Sequence, residues 1–192
     1  MKKNLLIVGS AAALVMSTGG LALAASGTNG QARDLSARSA KVTTAIQCNG
    51  GASKGLQTRI VNSPFTFTET GVNDQDQAVP GANVTLLGPA VGTDTLLVTY
   101  SAETQITGGD ANDWMGLEVH RNGVPINPFT PGADKLAITG EPSWNSNSVQ
   151  FCVKIGRGVH RLETFANLHD SSGSHNLNGW LDDYTFSVQR FN

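Results

Sequence analysis

Trp114-Met115-Gly116-Leu117-Glu118-Val119-His120-Arg121-Asn122-Gly123-Val124-Pro125-Ile126 decides how the chain is read. Met115, Leu117 and Val119 alternate with Gly116, Glu118 and His120, the period of a half-buried strand. Asn122-Gly123 follows, and it marks a type I′ hairpin, which needs positive φ at both central residues. Val124 and Ile126 begin the return strand. Pro125 offers no backbone donor, so that strand is an edge or stops early.

The same texture continues on both sides. Val42, Thr44, Ile46 and Cys48 alternate, and Asn49-Gly50-Gly51 closes that run. Residues 56–61 form a second strand and residues 65–68 a third. A polar loop covers residues 72–77, and Val79-Pro80-Gly81 reads as a turn before a short strand at 84–87. Leu96, Val98, Tyr100 and Ala102 share one face of a central strand, with Thr99, Ser101 and Glu103 opposite. Past the hairpin, Pro128 and Pro131-Gly132 mark a loop, and residues 136–138 a brief strand. Further strands hold Val149, Phe151, Val153 and Ile155, then Leu162, Thr164, Ala166 and Leu168, then residues 180–191. That makes roughly eight to ten short strands and no helical period. The expected fold is all-β: an antiparallel β-sandwich, jelly-roll-like, because the strand count is high and the Cys-Trp-Cys pattern of immunoglobulin domains is absent.

Lys2-Lys3, an apolar run over residues 5–15, and Ala22-Leu23-Ala24 have the layout of a secretory signal peptide over residues 1–24. Removing it leaves 168 residues and moves the formal charge from −2 to −4. Residues 25–40 are small and polar and read as a flexible tail, and residues 41–192 as one sandwich domain. No basic block exists, so nucleic acid is not an expected partner. No later stretch is apolar enough to span a bilayer. The expected location is secreted, with a disulfide between Cys48 and Cys152, the only cysteines.

Four segments carry a resemblance. They begin at Leu96 (Leu-Leu-Val-Thr-Tyr-Ser-Ala-Glu), Leu117 (Leu-Glu-Val-His-Arg-Asn-Gly), Gly158 (Gly-Val-His-Arg-Leu-Glu) and Trp180 (Trp-Leu-Asp-Asp-Tyr-Thr-Phe-Ser-Val). Their order, over about residues 80 to 192, resembles small exported bacterial jelly-roll proteins and is more distantly similar to C1q/TNF-like sandwiches. The resemblance implies a binding or assembly domain, often trimeric in the C1q/TNF group. It carries over no catalytic residue, and the collagen-like repeat that often precedes C1q domains is absent.

Trp114, Trp144 and Trp180 each sit near the start of a strand, after polar residues. They either stack on sugar rings as exposed faces or close the ends of the core. His169-Asp170-Ser-Ser-Gly-Ser-His175 places two imidazoles and a carboxylate on one loop, and Asp110, Asn112 and Asp113 look like the start of a calcium loop. The first set lacks a further protein ligand with proper spacing, and the second has Trp114 where an oxygen ligand belongs. No metal or other cofactor is therefore expected. Glu103, Glu118, His120, Arg161 and Glu163 lie on polar strand faces and read as cross-strand charge pairs, with a Glu103/Glu118 acid/base pair as the catalytic alternative. Asp182 falls on the apolar side of strict alternation with Tyr184, Phe186 and Val188. Either a bulge turns it outward, or hydrogen bonds hold it as a loop clamp, which is the expectation.

The function expected is that of a secreted, non-enzymatic β-sandwich that binds a ligand or assembles with itself as a homo-oligomer. The alternatives are a carbohydrate-binding module that docks a cell-surface glycan on the tryptophans, and last a two-carboxylate hydrolase.

Overall fold

A computed structural model describes residues 48–70, 75–128, 135–140 and 143–192, all within one compact unit, Thr43–Asn192. The signal peptide, the tail and most of the strand expected at residues 42–48 lie outside the described residues, as does Pro131-Gly132. The described residues form ten strands: β1 (Ser53–Val61), β2 (Phe65–Thr70), β3 (Gln77–Leu87), β4 (Asp94–Thr107), β5 (Trp114–Arg121), β6 (Val124–Pro125), β7 (Leu136–Gly140), β8 (Ser143–Ile155), β9 (Val159–His169) and β10 (Asn176–Phe191). Among the described residues no helix is long and apolar enough to cross a membrane.

The strands form two antiparallel sheets. The first has the order β1-β10-β4-β8, with β2 also on β10; the second has β3-β9-β5-β6, with β7 also on β5. The pairings nest: β1 with β10, β3 with β9, β4 with β8, β5 with β7. A long hairpin rolled upon itself gives that nesting, and it is the jelly-roll arrangement. Its innermost ribbon is the stretch on which the reading began. Asn122 and Gly123 have φ of 52° and 80°, as a type I′ turn requires, and the return strand β6 is two residues long.

Alternation builds the core. Leu96, Val98, Tyr100 and Ala102 of β4, with Tyr184, Phe186 and Val188 of β10 beside them, join Met115, Leu117 and Val119 of β5 in one buried cluster. Each fully buried Val, Leu or Phe stabilises by about 1.5–3 kcal/mol. Tyr100 is 0% exposed and stacks on Tyr184 at 5.8 Å, yet among the described residues its hydroxyl has no partner, whereas the Tyr184 hydroxyl donates to the Pro80 carbonyl. An unpaired buried hydroxyl is a net cost. Tyr100→Phe is therefore expected to raise the thermal midpoint, with a gain of about 1 kcal/mol; a drop in a melting experiment would mean that the hydroxyl has a partner in solution.

Two expectations fail at bulges. Val79-Pro80-Gly81 is not a turn between elements but part of β3: Gly81 has φ of 73° and the register with β9 shifts between Ala78 and Asn83. In β10 the register shifts between Asp182 and Thr185, and Asp183 has φ of 43°. The extra residue turns Asp182 to the outer face while Leu181 and Tyr184 stay buried, so the expected clamp does not form. Asp182 Oδ1 accepts the neighbouring Asp183 N–H, at 2.8 Å.

Cys48 and Cys152 form the expected disulfide, with Cα atoms 5.8 Å apart. It fastens the start of the described chain to β8, an edge strand of the first sheet. At the same end of the sandwich Asp94, 1% exposed, is held by Lys54 Nζ at 2.7 Å and Arg190 Nε at 2.5 Å, joining β4 to β1 and β10. Burial pushes its carboxyl up, but the Lys54 and Arg190 bonds and charges outweigh burial and hold it below the usual carboxylate range. A depressed folded value means stability that is present above an ordinary Asp value of about 3.9 and is lost as pH falls through the folded one. Asp94→Asn is expected to cost about 2 kcal/mol at neutral pH and to flatten the acid limb of the stability curve. Parallel acid limbs in urea titrations of the two proteins would refute the ion pair's part.

Candidate functional site

The loop joining β4 to β5 (residues 108–113) and the loop joining β9 to β10 (residues 170–175) lie at one end of the sandwich. The registers require this: Thr107 pairs with Asn178, and Trp114 with His169. β8 begins at the same end, since Ile106 pairs with Ser143.

In the first loop, a tight turn forms when Asp113 N donates to the Asp110 carbonyl at 3.0 Å and Asp110 N donates to Asp113 Oδ2 at 2.7 Å. Asn112 N donates to Asp110 Oδ1 at 2.7 Å. The second loop winds around Asp170, whose Oδ1 accepts from Ser172 N, Ser172 Oγ and Gly173 N, and whose Oδ2 accepts from His175 N. Asp113 then joins the loops. Its Oδ1 accepts Ser171 N at 2.8 Å, and its Oδ2 lies 2.9 Å from His175 Nδ1. Asp170 Oδ1 is 3.3 Å from the same nitrogen.

Ligand atoms of Asp110, Asp113 and His175 all lie within 4.8 Å of one another. The two loops that the sequence presents as separate ligand fragments are thus one cluster, and each supplies what the other lacks. His169 is not part of it: its ring stacks on Trp114 at 3.8 Å. Asn112 is exposed and contributes its backbone N–H. Asp113 and Asp170 are both buried. Burial pushes both carboxyls up, but the donated hydrogen bonds prevail and lower them, Asp170 to about 2. Burial pushes His175 down, and the Asp170 and Asp113 carboxylates more than offset this, raising it above the ordinary imidazole value. An open cleft of about 430 Å³ adjoins the cluster, lined by residues 111–114 and 137–140.

The tryptophans divide. Trp114, partly buried on the outer side of the second sheet, is committed to His169. Trp144 and Trp180 stand on the outer face of the first sheet, in one row with Gln105 between them. Trp144 is 58% exposed; its ring centroid is 4.9 Å from that of Trp180, and its indole N–H donates to Glu103. None of the three closes an end of the core cluster. The next row holds Ser146, Glu103 and Asp182, and beyond it lie Ser148, Ser101 and Thr185.

Glu103 and Glu118 do not meet. Glu103 lies on the outer face of the first sheet, and Glu118 lies on the outer face of the second, 2.8 Å from His120 and 3.9 Å from Lys135, whose ammonium also binds Asp76. Arg161 pairs with Glu163 along β9 at 2.5 Å. Glu118 with His120 and Arg161 with Glu163 thus pair along their own strands, where cross-strand pairs were expected, because β-strand neighbours at i and i+2 share a face, while Glu103 accepts across strands from Trp144.

No family model and no curated protein matches the chain. Among solved structures it is similar to a structure of the infectious bursal disease virus Gx strain, with a TM-score of 0.36 and 9% identity over 74% of this chain and 38% of that one. It is also similar to dimeric latent PorU from Porphyromonas gingivalis, with a TM-score of 0.28 and 12% identity over 77% of this chain and 14% of that one. The chain thus spans well under half the length of either protein. No family relationship to the C1q/TNF group emerges.

Proposed function

We propose that the chain is an exported, non-enzymatic binding protein whose ligand is a glycan laid on the outer face of the first sheet across Trp144 and Trp180. One observation carries this reading: Trp144 keeps a 58% exposed indole, yet that indole is braced by Trp180 and by the bond to Glu103. A large aromatic left in water is a cost unless its face has a use, and a preset ring binds with little further loss of rotamer freedom. The apolar faces of sugar rings suit such a surface. Gln105, Ser146 and Asp182 sit in the same rows and supply donors and acceptors for hydroxyl groups.

A glycan array with the disulfide-intact protein tests it. Trp144→Ala is expected to weaken binding at least about tenfold, the loss of roughly 1.4 kcal/mol of stacking. Trp114→Ala should leave binding unchanged, because that ring is engaged by His169. Retention of no glycan, or full binding by Trp144→Ala, sinks the reading. Assembly is the second reading, and it has its own observation. Leu56 and Ile60, 61% and 70% exposed, lie on β1 at the edge of the first sheet, where an unpaired strand can accept another. Light scattering that gave a multiple of the chain mass, reduced to one by Ile60→Lys, would favour it.

A further inference from the structure

We propose that the cluster of Asp110, Asp113 and His175, with Asp170 beside it, is a binding site for one divalent transition-metal cation of the zinc class. The proposal is independent of the glycan reading, which concerns a different face.

The donor set comes first. An imidazole nitrogen and carboxylate oxygens are the ligands zinc takes when no thiolate is present, and calcium, which prefers oxygen alone, is served less well. The spacing agrees. Two ligands of a tetrahedral zinc stand about 3.3 Å apart, given metal–ligand distances of about 2.0–2.2 Å. His175 Nδ1 is 2.9 Å from Asp113 Oδ2 and 3.3 Å from Asp170 Oδ1. The cation would take the place of the proton that Nδ1 now shares with these oxygens, with Ser172 Oγ, 3.3 Å from the same nitrogen, as a close neighbour. Ligand atoms of Asp110, Asp113 and His175 all lie within 4.8 Å of one another, while Asp170, whose Oδ1 already accepts Ser172 N, Ser172 Oγ and Gly173 N, orients His175 from beside the set.

Charge is the second, independent observation. Asp113 and Asp170 side chains are 0% and 1% exposed. Among the described residues no lysine or arginine pairs with Asp110, Asp113 or Asp170, so one imidazole faces three carboxylates. Buried carboxylates are normally paired with cations or coordinate metals. The other group of this kind, Asp76, Glu118 and His120, differs in just this respect: the Lys135 ammonium already stands among its carboxylates.

Orientation is the third. Backbone N–H groups of Asp110 and Ser171 fix the Asp113 carboxylate, and those of Ser172, Gly173 and His175 fix Asp170. Ligands held by outer hydrogen bonds lose little freedom when a metal arrives. The His175 side chain is 27% exposed, so a bound ion would have a side toward solvent there.

The test is titration of zinc chloride into the chelator-stripped, disulfide-intact chain, read by calorimetry and by the ring nitrogen resonances of its four histidines. The expected result is one zinc per chain, with movement of the His175 resonances alone. His175→Gln should weaken binding at least about tenfold, and His120→Gln should leave it unchanged. Calcium chloride should give no comparable heat. Absence of saturable zinc binding, equal binding by His175→Gln, or movement of the His120 resonances in place of His175 would each overturn the proposal. The resonance measurement on the unaltered chain decides the matter even if a variant fails to fold.

Discussion

Cys152→Ser is expected to lower the stability of the fold by about 4 kcal/mol, the largest effect of any single change considered for this chain. The bridge closes a sequence separation of 104 residues, and the entropy it removes from the unfolded chain grows with the logarithm of that length. The segment it fastens is also tied by Thr95 Oγ1, which donates to the Asn49 carbonyl, and by backbone bonds that Gly51 and Ala52 exchange with Asn192. At the far end Cys152 sits on an edge strand, bonded through its N–H to the Asn127 carbonyl at 2.7 Å. Total stabilities of about 5–15 kcal/mol are usual, so the loss is a large share. Urea unfolding should show a lower midpoint for Cys152→Ser, and reduction of the unaltered protein should reproduce it. Coincident curves for oxidised and reduced protein would show that the tether adds nothing.

The jelly roll was readable where alternation and turn chemistry agree. In β5 the period of two and the Asn122-Gly123 turn point to the same hairpin, and both residues have the positive φ the turn needs. In β4 the alternation of Leu96, Val98, Tyr100 and Ala102 predicts the buried face, although the strand extends from Asp94 to Thr107, well past the apolar run. Its outer rows are polar, and pairing on both sides by β10 and β8 sustains the strand where pattern alone stops. Bulges were not readable. Val79-Pro80-Gly81 has turn composition, and a bulge uses the same positive-φ glycine as a turn. At Asp182 the extra residue is Asp183, a non-glycine residue with φ of 43°, which composition does not mark.

The candidate site was half legible for a related reason. Each loop shows its ligand residues, but their meeting depends on the register of β4 on β10 and of β5 on β9, contacts remote in sequence. No local period reports that Asp113 and His175 are neighbours. The tryptophans illustrate the same boundary. Alternation tells which residues share a side of a strand, whereas the outward place of Trp144 and the engagement of Trp114 by His169 follow only once both sheets are assembled.

Asp113→Ala is expected to cost about 3 kcal/mol and to free both loops at the site end. The carboxylate is buried and accepts Asp110 N at 2.7 Å, Ser171 N at 2.8 Å and the His175 ring at 2.9 Å. Alanine leaves two part-buried backbone donors without that acceptor, at about 1–3 kcal/mol together. The imidazole is less affected, since Asp170 Oδ1 remains 3.3 Å away. Asp113→Asn retains one oxygen for one donor, so its loss should be smaller. Asp110→Ala removes an exposed carboxylate that accepts the Asn112 N–H, and should cost less than about 1 kcal/mol. The order Asp113→Ala, Asp113→Asn, Asp110→Ala in urea midpoints is therefore the signature of a clamp. Amide exchange gives a local reading of the same claim: the Ser171 and Asp110 N–H groups should lose protection in Asp113→Ala, while those of Ser172 and Gly173, which bond to Asp170, keep theirs. A midpoint for Asp113→Ala equal to that of the unaltered protein, with Ser171 still protected, would mean that the sheets alone bring the two loops together and that Asp113 merely sits between them.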